Sequence, residues 1–74
     1  MEQHLSQYRI FFEVAKAGSI SKAAKLLYIS QPAISKSILR LEEGLEIALF
    51  VRTSKGVSLT PEGQIFYEYL QNAF

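Results

Sequence analysis

The chain has 74 residues, no cysteine and a formal net charge of +1. Its length allows one domain, and a domain of this size buries only about 60% of the surface of its unfolded chain. The lack of cysteine excludes disulfides and thiolate metal sites, and no apolar run approaches the length of a membrane span. We therefore expect one small domain in a reducing cytoplasm, without a signal peptide or a membrane segment.

The basic residues are unevenly distributed along the sequence. No acidic residue occurs within 14–41. The basic residues of this stretch are Lys16, Lys22, Lys25, Lys36 and Arg40. A second stretch without acids holds Arg52 and Lys55. Such clustering predicts a surface that binds phosphate, although an ordinary solvated face is an equal alternative for Lys22 and Lys25.

A first helix is predicted from about Gln3 to Ala17. Apolar residues cover more than one face of it, which indicates contacts with its own domain and with a second neighbour. Gly18 ends the helix, because glycine readily adopts the left-handed conformation that follows a helix. Ser19 is a candidate N-cap for the next helix, with Ser21 as the alternative.

A short second helix carries an apolar stripe at positions i, i+3, i+4 and i+7. The stripe consists of Ile20, Ala23, Ala24 and Leu27. The two alanines leave room for another helix to approach closely. In the turn that follows, Ile29 is expected to be a buried plug between two helices, and Tyr28 is expected to be partly exposed.

A longer third helix begins after the turn. Ser30 is its predicted N-cap, and Pro32 lies in the first turn, where the missing N–H needs no partner. The predicted buried stripe is Ile34, Ile38, Leu41 and Leu45, and the helix is expected to stop near Gly44. Outside the stripe lie Gln31, Pro32, Ser35, Lys36 and Arg40. This pattern is typical of a helix-turn-helix, whose second helix enters a DNA major groove.

A two-stranded hairpin is predicted next. Residues 49–51 and 57–60 favour strands, and Ser54-Lys55-Gly56 forms a turn in which glycine is available for positive φ. A hairpin of two strands is unstable alone, so it must pack on the helices. Lys55 at the tip would project from the domain. A helix-turn-helix followed by a basic-tipped hairpin is a winged helix, and its tip can reach a minor groove.

A fourth helix is predicted from Thr60-Pro61-Glu62, which supplies an N-cap, a proline at the first helical position and an acid near the positive end of the dipole. No stop signal precedes Phe74. The apolar positions of this helix exceed what one small core can cover. Two interpretations follow, pairing with a second copy or continuation into a further domain, and we expect both.

Catalysis and metal binding have no support in the sequence. The single histidine, His4, lies near the terminus without a nucleophile or a suitably spaced carboxylate. The four glycines are scattered and form no phosphate-binding loop. We therefore expect neither an enzyme nor a metal site.

Reading of DNA has support from individual residues. Gln31 can bond an adenine edge, Lys36 can donate to guanine, and Pro32 and Ala33 can contact a thymine methyl group. Several hydroxyl groups suit phosphate oxygens, although capping is an equally good role for the serines. These hydroxyl groups belong to Ser21, Ser30, Ser35 and Thr53.

With these residues placed, the chain resembles the N-terminal DNA-binding domain of LysR-type transcriptional regulators from Leu5 to Phe74. The resemblance rests on four segments that occur in order and at the spacing of that family. They are F-F-E-V-A-K-A-G-S-I-S-K-A-A-K-L-L, I-S-Q-P-A-I-S-K-S-I-L-R-L-E-E, L-F-V-R-T and V-S-L-T-P-E-G. Together these segments are highly specific.

The resemblance implies a mainly α fold, with a three-helix core, a two-stranded β-wing and a long C-terminal linker or dimerisation helix. The winged helix-turn-helix would cover 1–60, with the helix-turn-helix at about 20–39 and the wing at about 49–60. Residues 61–74 would begin the linker helix. The resemblance further implies bacterial or archaeal dimers, or tetramers in a full-length protein, on inverted-repeat operators of double-stranded DNA. A C-terminal domain that binds a small-molecule effector would be missing from this chain, for which we expect no cofactor.

The same resemblance implies roles for single residues. Gln31, Pro32 and Lys36 match base-contacting positions, and Lys55 lies in the wing. The expected phosphate contacts are Ser21, Ser30, Ser35, Arg40, Arg52 and Thr53. The residues expected in the dimer interface are Ile65, Phe66, Tyr69, Leu70 and Ala73.

Four positions depart from the family pattern. The family usually has glycine in place of Glu46 and a helix former in place of Gly44, which predicts an altered end of the third helix. Leu39 occupies an outward position that is commonly polar, and it is not among the expected DNA contacts. Lys36 replaces a frequent arginine, so it keeps the charge but loses the fork geometry of a guanidinium.

The leading hypothesis is sequence-specific binding of double-stranded DNA by a dimeric transcription regulator. The alternative is a winged-helix module for protein–protein assembly, whose basic face docks an acidic partner. The acid-free third helix with Gln31, Pro32 and Ala33 argues against this alternative, because base-edge residues would have no role there. An enzyme is a third and more distant alternative.

Overall fold

A computed structural model describes residues 2–73, with the side chains of residues 6–73. In this part of the chain, helices α1 (Glu2–Ala17), α2 (Ile20–Leu27) and α3 (Gln31–Leu45) precede an antiparallel hairpin. The hairpin pairs β1 (Phe50–Thr53) with β2 (Gly56–Leu59), and α4 (Pro61–Gln71) follows. The predicted winged helix-turn-helix is confirmed. The side chains of His4 and Leu5, and the whole of Phe74, lie outside the described part.

The turns that flank α2 form as the local chemistry predicts. Gly18 has φ +68° after the end of α1. Ser19, and not Ser21, is the N-cap of α2, since its hydroxyl accepts a hydrogen bond from the Lys22 N–H at 3.2 Å. At the other end Tyr28 has φ +57°, and its side chain is 96% exposed, more than predicted. The helices α2 and α3 are therefore joined by a tight left-handed turn.

Two adjoining clusters form the hydrophobic core. The first lies between α1, α2 and α3 and contains Val14, Ala23, Ala24, Ile34 and Ile38. The second joins α1 and α3 to the hairpin and α4, and contains Phe11, Leu41, Leu49 and Leu70. Phe50 packs against both clusters. Since burial of each large apolar side chain contributes about 1.5–3 kcal/mol, these clusters stabilise the helices and the hairpin as one unit.

Two core predictions need correction. Leu45 was predicted in the buried stripe of α3, but it is 37% exposed because it lies at the last residue of the helix, beyond the reach of the core. Ile29 was predicted as a buried plug, and it is half-buried at the edge of the first cluster. Ile34, Ile38 and Leu41 are buried as predicted.

The residue that caps the end of α3 has a backbone conformation that is unfavourable for its type. The helix ends at Leu45, and Glu46 caps it with φ +59°. Its N–H donates to the carbonyl groups of Glu42 and Glu43. A left-handed conformation costs about 1–2 kcal/mol for an L-residue other than glycine. This cost explains why a family of related chains would favour glycine at this position.

The hairpin begins and ends one residue away from its predicted bounds. Leu49 precedes β1 and is fully buried, while Thr60 follows β2 and caps α4. Thr60 accepts from the Gly63 N–H at 2.9 Å and donates to the Ala48 carbonyl at 2.7 Å. The predicted start of α4 is therefore confirmed. The same threonine also links α4 by a hydrogen bond to the segment that precedes β1.

Helix α4 is shorter than predicted. It ends at Gln71, and the N–H of Ala73 donates to the Leu70 carbonyl in a final turn. The last carbonyl groups of a helix have no intrahelical partner, so tightened final turns of this kind are common. Ala73 therefore follows the helix and is exposed.

Candidate nucleic-acid interface

The candidate interface starts at the first turn of α3. Ser30 has extended backbone angles and accepts a hydrogen bond from the Ala33 N–H at 3.3 Å, so its predicted role as N-cap is confirmed. Pro32 lies in the first turn, as predicted. Gln31, Pro32 and Ala33 are all exposed. The start of α3 therefore presents side chains and helix N–H groups to solvent.

The exposed side of α3 forms a ridge opposite the core. Ile34, Ile38 and Leu41 are at most 4% exposed, whereas Pro32, Lys36 and Leu39 are exposed. Residues at i, i+4 and i+7 share one face of a helix with 3.6 residues per turn. We name Pro32, Lys36 and Leu39 the α3 ridge. The apolar stripe of α3 is thus buried and the opposite side is exposed, as its spacing predicts.

The other predicted residues of the helix-turn-helix differ in exposure. Ser21 and Arg40 are exposed, and Ser35 is half-buried. Arg40 lines a shallow groove between α1 and α3 together with Gln7 and Tyr8. Arg40 therefore lies on the α1 side of the ridge. Whether these residues bind phosphate stays a prediction.

The hairpin carries the other basic residues. Arg52 pairs in register with Val57, and Phe50 pairs with Leu59. Because side chains alternate along a strand, Arg52 shares a face with Phe50, which packs on the helices. Arg52 is nevertheless exposed. The side chain of Arg52 therefore reaches solvent, although it lies on the face of the hairpin that packs on the helices.

The tip of the hairpin is closed by Thr53. Its hydroxyl accepts from the Lys55 N–H at 3.3 Å and donates to the Gly56 carbonyl at 3.2 Å. The hydroxyl of Thr53 thus takes part in the turn itself. Its contact with phosphate stays a prediction. Lys55 is exposed in the turn, as predicted.

The hairpin is held on the domain by main-chain contacts that sequence patterns do not reveal. One carboxylate oxygen of Glu42 in α3 accepts from the N–H groups of Leu49 at 2.7 Å and Phe50 at 3.2 Å. At the other end the Val57 N–H donates to the Gly18 carbonyl at 3.4 Å. Glu42 occurs in a segment that carried the family resemblance, but its role as an anchor was missed.

Two glycines allow close approach at these joints. A Cβ on Gly56, where φ is +134°, would lie 2.7 Å from the Gly18 carbonyl oxygen. A Cβ on Gly63 would overlap the Leu49 carbonyl oxygen and would lie 3.0 Å from the Leu49 carbonyl carbon. The position of the hairpin relative to α2 and α4 therefore depends on the absence of side chains at these two positions.

The predicted basic surface is confirmed as exposed. Its members are Lys16, Lys22, Lys25, Lys36, Arg40, Arg52 and Lys55. Among the described side chains, none of these seven joins an ion pair with a carboxylate. Their charges are thus available to an external anion.

Helix α4 exposes only part of its predicted interface. Ile65 and Tyr69, at i and i+4, are 70% and 75% exposed. Leu70 is 5% exposed in the second core cluster, so its prediction as an interface residue is wrong. Phe66 is half-buried, with ring centroids 5.1 Å from Phe11 and 5.7 Å from Tyr8. One side of α4 therefore packs on its own domain. Only the other side, with Ile65 and Tyr69, remains for the predicted contact with a second copy.

Among residues 2–73 no helix combines the length and the apolar character that a membrane crossing requires. Within residues 6–73, whose side chains are described, no group of three or more acidic side chains could hold a metal ion.

Comparison with known proteins identifies relatives of this arrangement. The family described as "Bacterial regulatory helix-turn-helix protein, lysR family" matches residues 5–64. An HTH-type transcriptional regulator of Methanocaldococcus jannaschii is 47% identical over 68 residues, which are 92% of this chain and 23% of that protein. The HTH-type transcriptional regulator ClcR of Pseudomonas putida is 48% identical over 62 residues, covering 84% of this chain and 21% of ClcR. The chain thus spans about a quarter or less of the curated relatives it matches.

Solved structures share both fold and sequence with the chain. The complex of the BenM DBD with catB site 1 DNA has a TM-score of 0.89 at 43% identity, covering 93% of this chain and 78% of that one. The CbnR DBD–DNA complex has a TM-score of 0.87 at 37% identity, covering 99% and 82%. Both solved structures thus share the winged helix-turn-helix fold of this chain. The chain belongs to the LysR family of bacterial regulatory helix-turn-helix proteins.

Proposed function

We propose that the chain is the sequence-specific DNA-binding domain of a transcription regulator, with α3 in the major groove and the hairpin at an adjacent minor groove. The observation that carries this proposal is the α3 ridge, which lies opposite the buried stripe of the same helix. A helix that presents its first turn and a ridge with a basic side chain to solvent fits the major groove of B-DNA. The DNA named in the BenM and CbnR complexes supports duplex DNA as the ligand.

The first turn of α3 is proposed to read bases. Gln31 would bond the N6 and N7 edge of an adenine, and Lys36 would donate to O6 or N7 of a guanine. Pro32 and Ala33 would contact thymine methyl groups. Lys36 has no fork geometry, so its preference for guanine would be weaker than that of an arginine.

Phosphate contacts would fix the domain on the duplex. The groups proposed for this role are exposed except for the half-buried Ser35, and they are Ser21, Ser30, Ser35, Arg40, Arg52 and Thr53. Lys55 would enter or approach the minor groove from the hairpin tip. The Thr53 hydroxyl closes the turn in the free domain and would exchange that bond for one to phosphate.

A homodimer on an inverted-repeat site is proposed for a full-length protein, which would form tetramers through further domains. The exposed pair Ile65 and Tyr69 of α4, with Ala73 beyond it, supports a contact between two copies. A C-terminal domain that binds a small-molecule effector, and action in the cytoplasm at the nucleoid, are proposed on the same family membership. We propose no catalytic activity and no cofactor for the 74 residues.

A salt series tests the proposal. Sequence-selected and random DNA duplexes are titrated with the chain by fluorescence anisotropy at several salt concentrations. Specific binding should exceed non-specific binding by a factor that persists at high salt, since base contacts release no counterions. Equal affinity for both duplexes at every salt concentration would contradict sequence-specific reading.

A further inference from the structure

Leu39 is the one apolar branched side chain on the α3 ridge, and it is 55% exposed. It is placed three residues after Lys36 and seven after Pro32, opposite the buried Ile34 and Ile38. Arg40, its neighbour in sequence, is exposed as well. Leu39 therefore lies beside cationic groups on the surface that the proposed function directs at DNA.

The chemistry of the major groove restricts what such a side chain can recognise. Hydrogen-bond donors and acceptors line the groove, and the 5-methyl group of thymine is its apolar feature. A leucine can neither donate nor accept, so it would leave a polar base edge without a partner, which is unfavourable. Contact with a methyl group instead removes apolar surface of both partners from water.

We infer that Leu39 is a specificity-determining residue that reads the 5-methyl group of a thymine in the operator, an inference that rests on the proposed DNA binding. The ridge also fixes where this thymine lies. Lys36 and Leu39 are about 4.5 Å apart along the helix axis at 1.5 Å per residue. One base step is about 3.4 Å. The thymine is therefore one or two base pairs from the base that Lys36 reads.

The charge along α3 limits the contact at its far end. The next position on the same face, Glu43, is exposed and acidic. Its carboxylate would be repelled by the phosphates of the duplex. Leu39 is therefore the last residue on this face of α3 that DNA can approach closely.

A matched control exists in α2. Leu26 is 65% exposed, similar to Leu39, but it lies off the α3 ridge, beside Lys16 and Lys22. A general effect of removing an exposed leucine would appear in Leu26→Ser as well as in Leu39→Ser. Leu39→Met keeps an apolar side chain and should retain the methyl contact.

The experiment selects preferred duplexes from a randomised pool with the unaltered chain, Lys36→Ala, Leu39→Ser and Leu26→Ser. Thymine next to the Lys36-dependent position is then replaced by deoxyuridine, which removes only the methyl group. We expect this replacement to weaken binding of the unaltered chain, Leu26→Ser and Leu39→Met by about fourfold, the factor for one methyl-sized group transferred from water. Leu39→Ser should bind both duplexes equally.

The outcomes separate the inference from the function on which it rests. Two results would overturn the inference and leave DNA reading intact. In the first, replacing thymine by deoxyuridine weakens binding of Leu39→Ser as much as binding of the unaltered chain. In the second, the unaltered chain binds the deoxyuridine duplex as tightly as the thymine duplex. Selection of no motif by the unaltered chain would overturn both. Circular dichroism of each variant confirms that it is folded, as expected for changes at exposed side chains.

Discussion

The α3 ridge and the hairpin are both parts of the proposed interface, but they are positioned by different kinds of interaction. The ridge is positioned by a regular helix, on whose opposite side Ile34, Ile38 and Leu41 are buried. The hairpin is too small to stabilise itself. It is held by Glu42, by a bond to the Gly18 carbonyl and by the close approach of α4 at Gly63. The orientation of the α3 ridge thus depends on periodic burial, whereas the position of the hairpin depends on single contacts.

The largest expected effect is at the joint between α4 and the hairpin. Gly63→Ala would place a methyl group against the Leu49 carbonyl, which is backbone and cannot move aside without shifting β1. We expect a loss of about 3 kcal/mol in the free energy of unfolding, at the upper end of overpacking effects. Urea denaturation measures it. Gly44→Ala is the control, because a Cβ there meets nothing within 4 Å and should stabilise α3 by about 0.5–1 kcal/mol.

The second effect concerns the anchor in α3. Glu42→Ala would leave the N–H groups of Leu49 and Phe50 without their acceptor in a partly buried place. We expect a loss of about 2 kcal/mol in the free energy of unfolding. Glu43→Ala, at an exposed neighbour, should change it by less than about 0.5 kcal/mol. Equal values for the two variants would show that Glu42 does not anchor the hairpin.

The smallest of the stability effects concerns the end of α3. Glu46→Gly should raise the free energy of unfolding by about 1 kcal/mol, because glycine adopts φ +59° without strain. Glu46→Ala keeps the strained backbone and should give no such gain. Thermal unfolding of both variants distinguishes relief of strain from loss of the side-chain charge.

Local chemistry in the sequence was sufficient to predict the order of elements and the capping of helices. Ser30 and Thr60 cap their helices, and Gly18 ends α1, because each depends on residues only a few positions away. The exposed side of α3 was also predictable, since an apolar stripe at helical spacing defines its opposite face.

Features that depend on distant contacts could not be predicted in this way. The apolar residues of α4 are alike in sequence, yet Leu70 packs in the core while Ile65 remains exposed. The face that α4 turns towards α1 decides between them. In the same way, the bonds of Glu42 join residues seven and eight positions apart across a turn, and no periodic pattern predicts them.

The central claim, that the α3 ridge reads bases while the hairpin binds the backbone, is tested most directly by one measurement. Affinities of the unaltered chain, Lys36→Ala and Arg52→Ala are measured for a selected duplex and all its single base-pair variants. We expect Lys36→Ala to lose preference at one base pair, and Arg52→Ala to weaken every duplex alike and reduce the salt slope by about one. If Lys36→Ala instead weakened every duplex equally and kept the full pattern of preferences, the ridge would not be the reading surface.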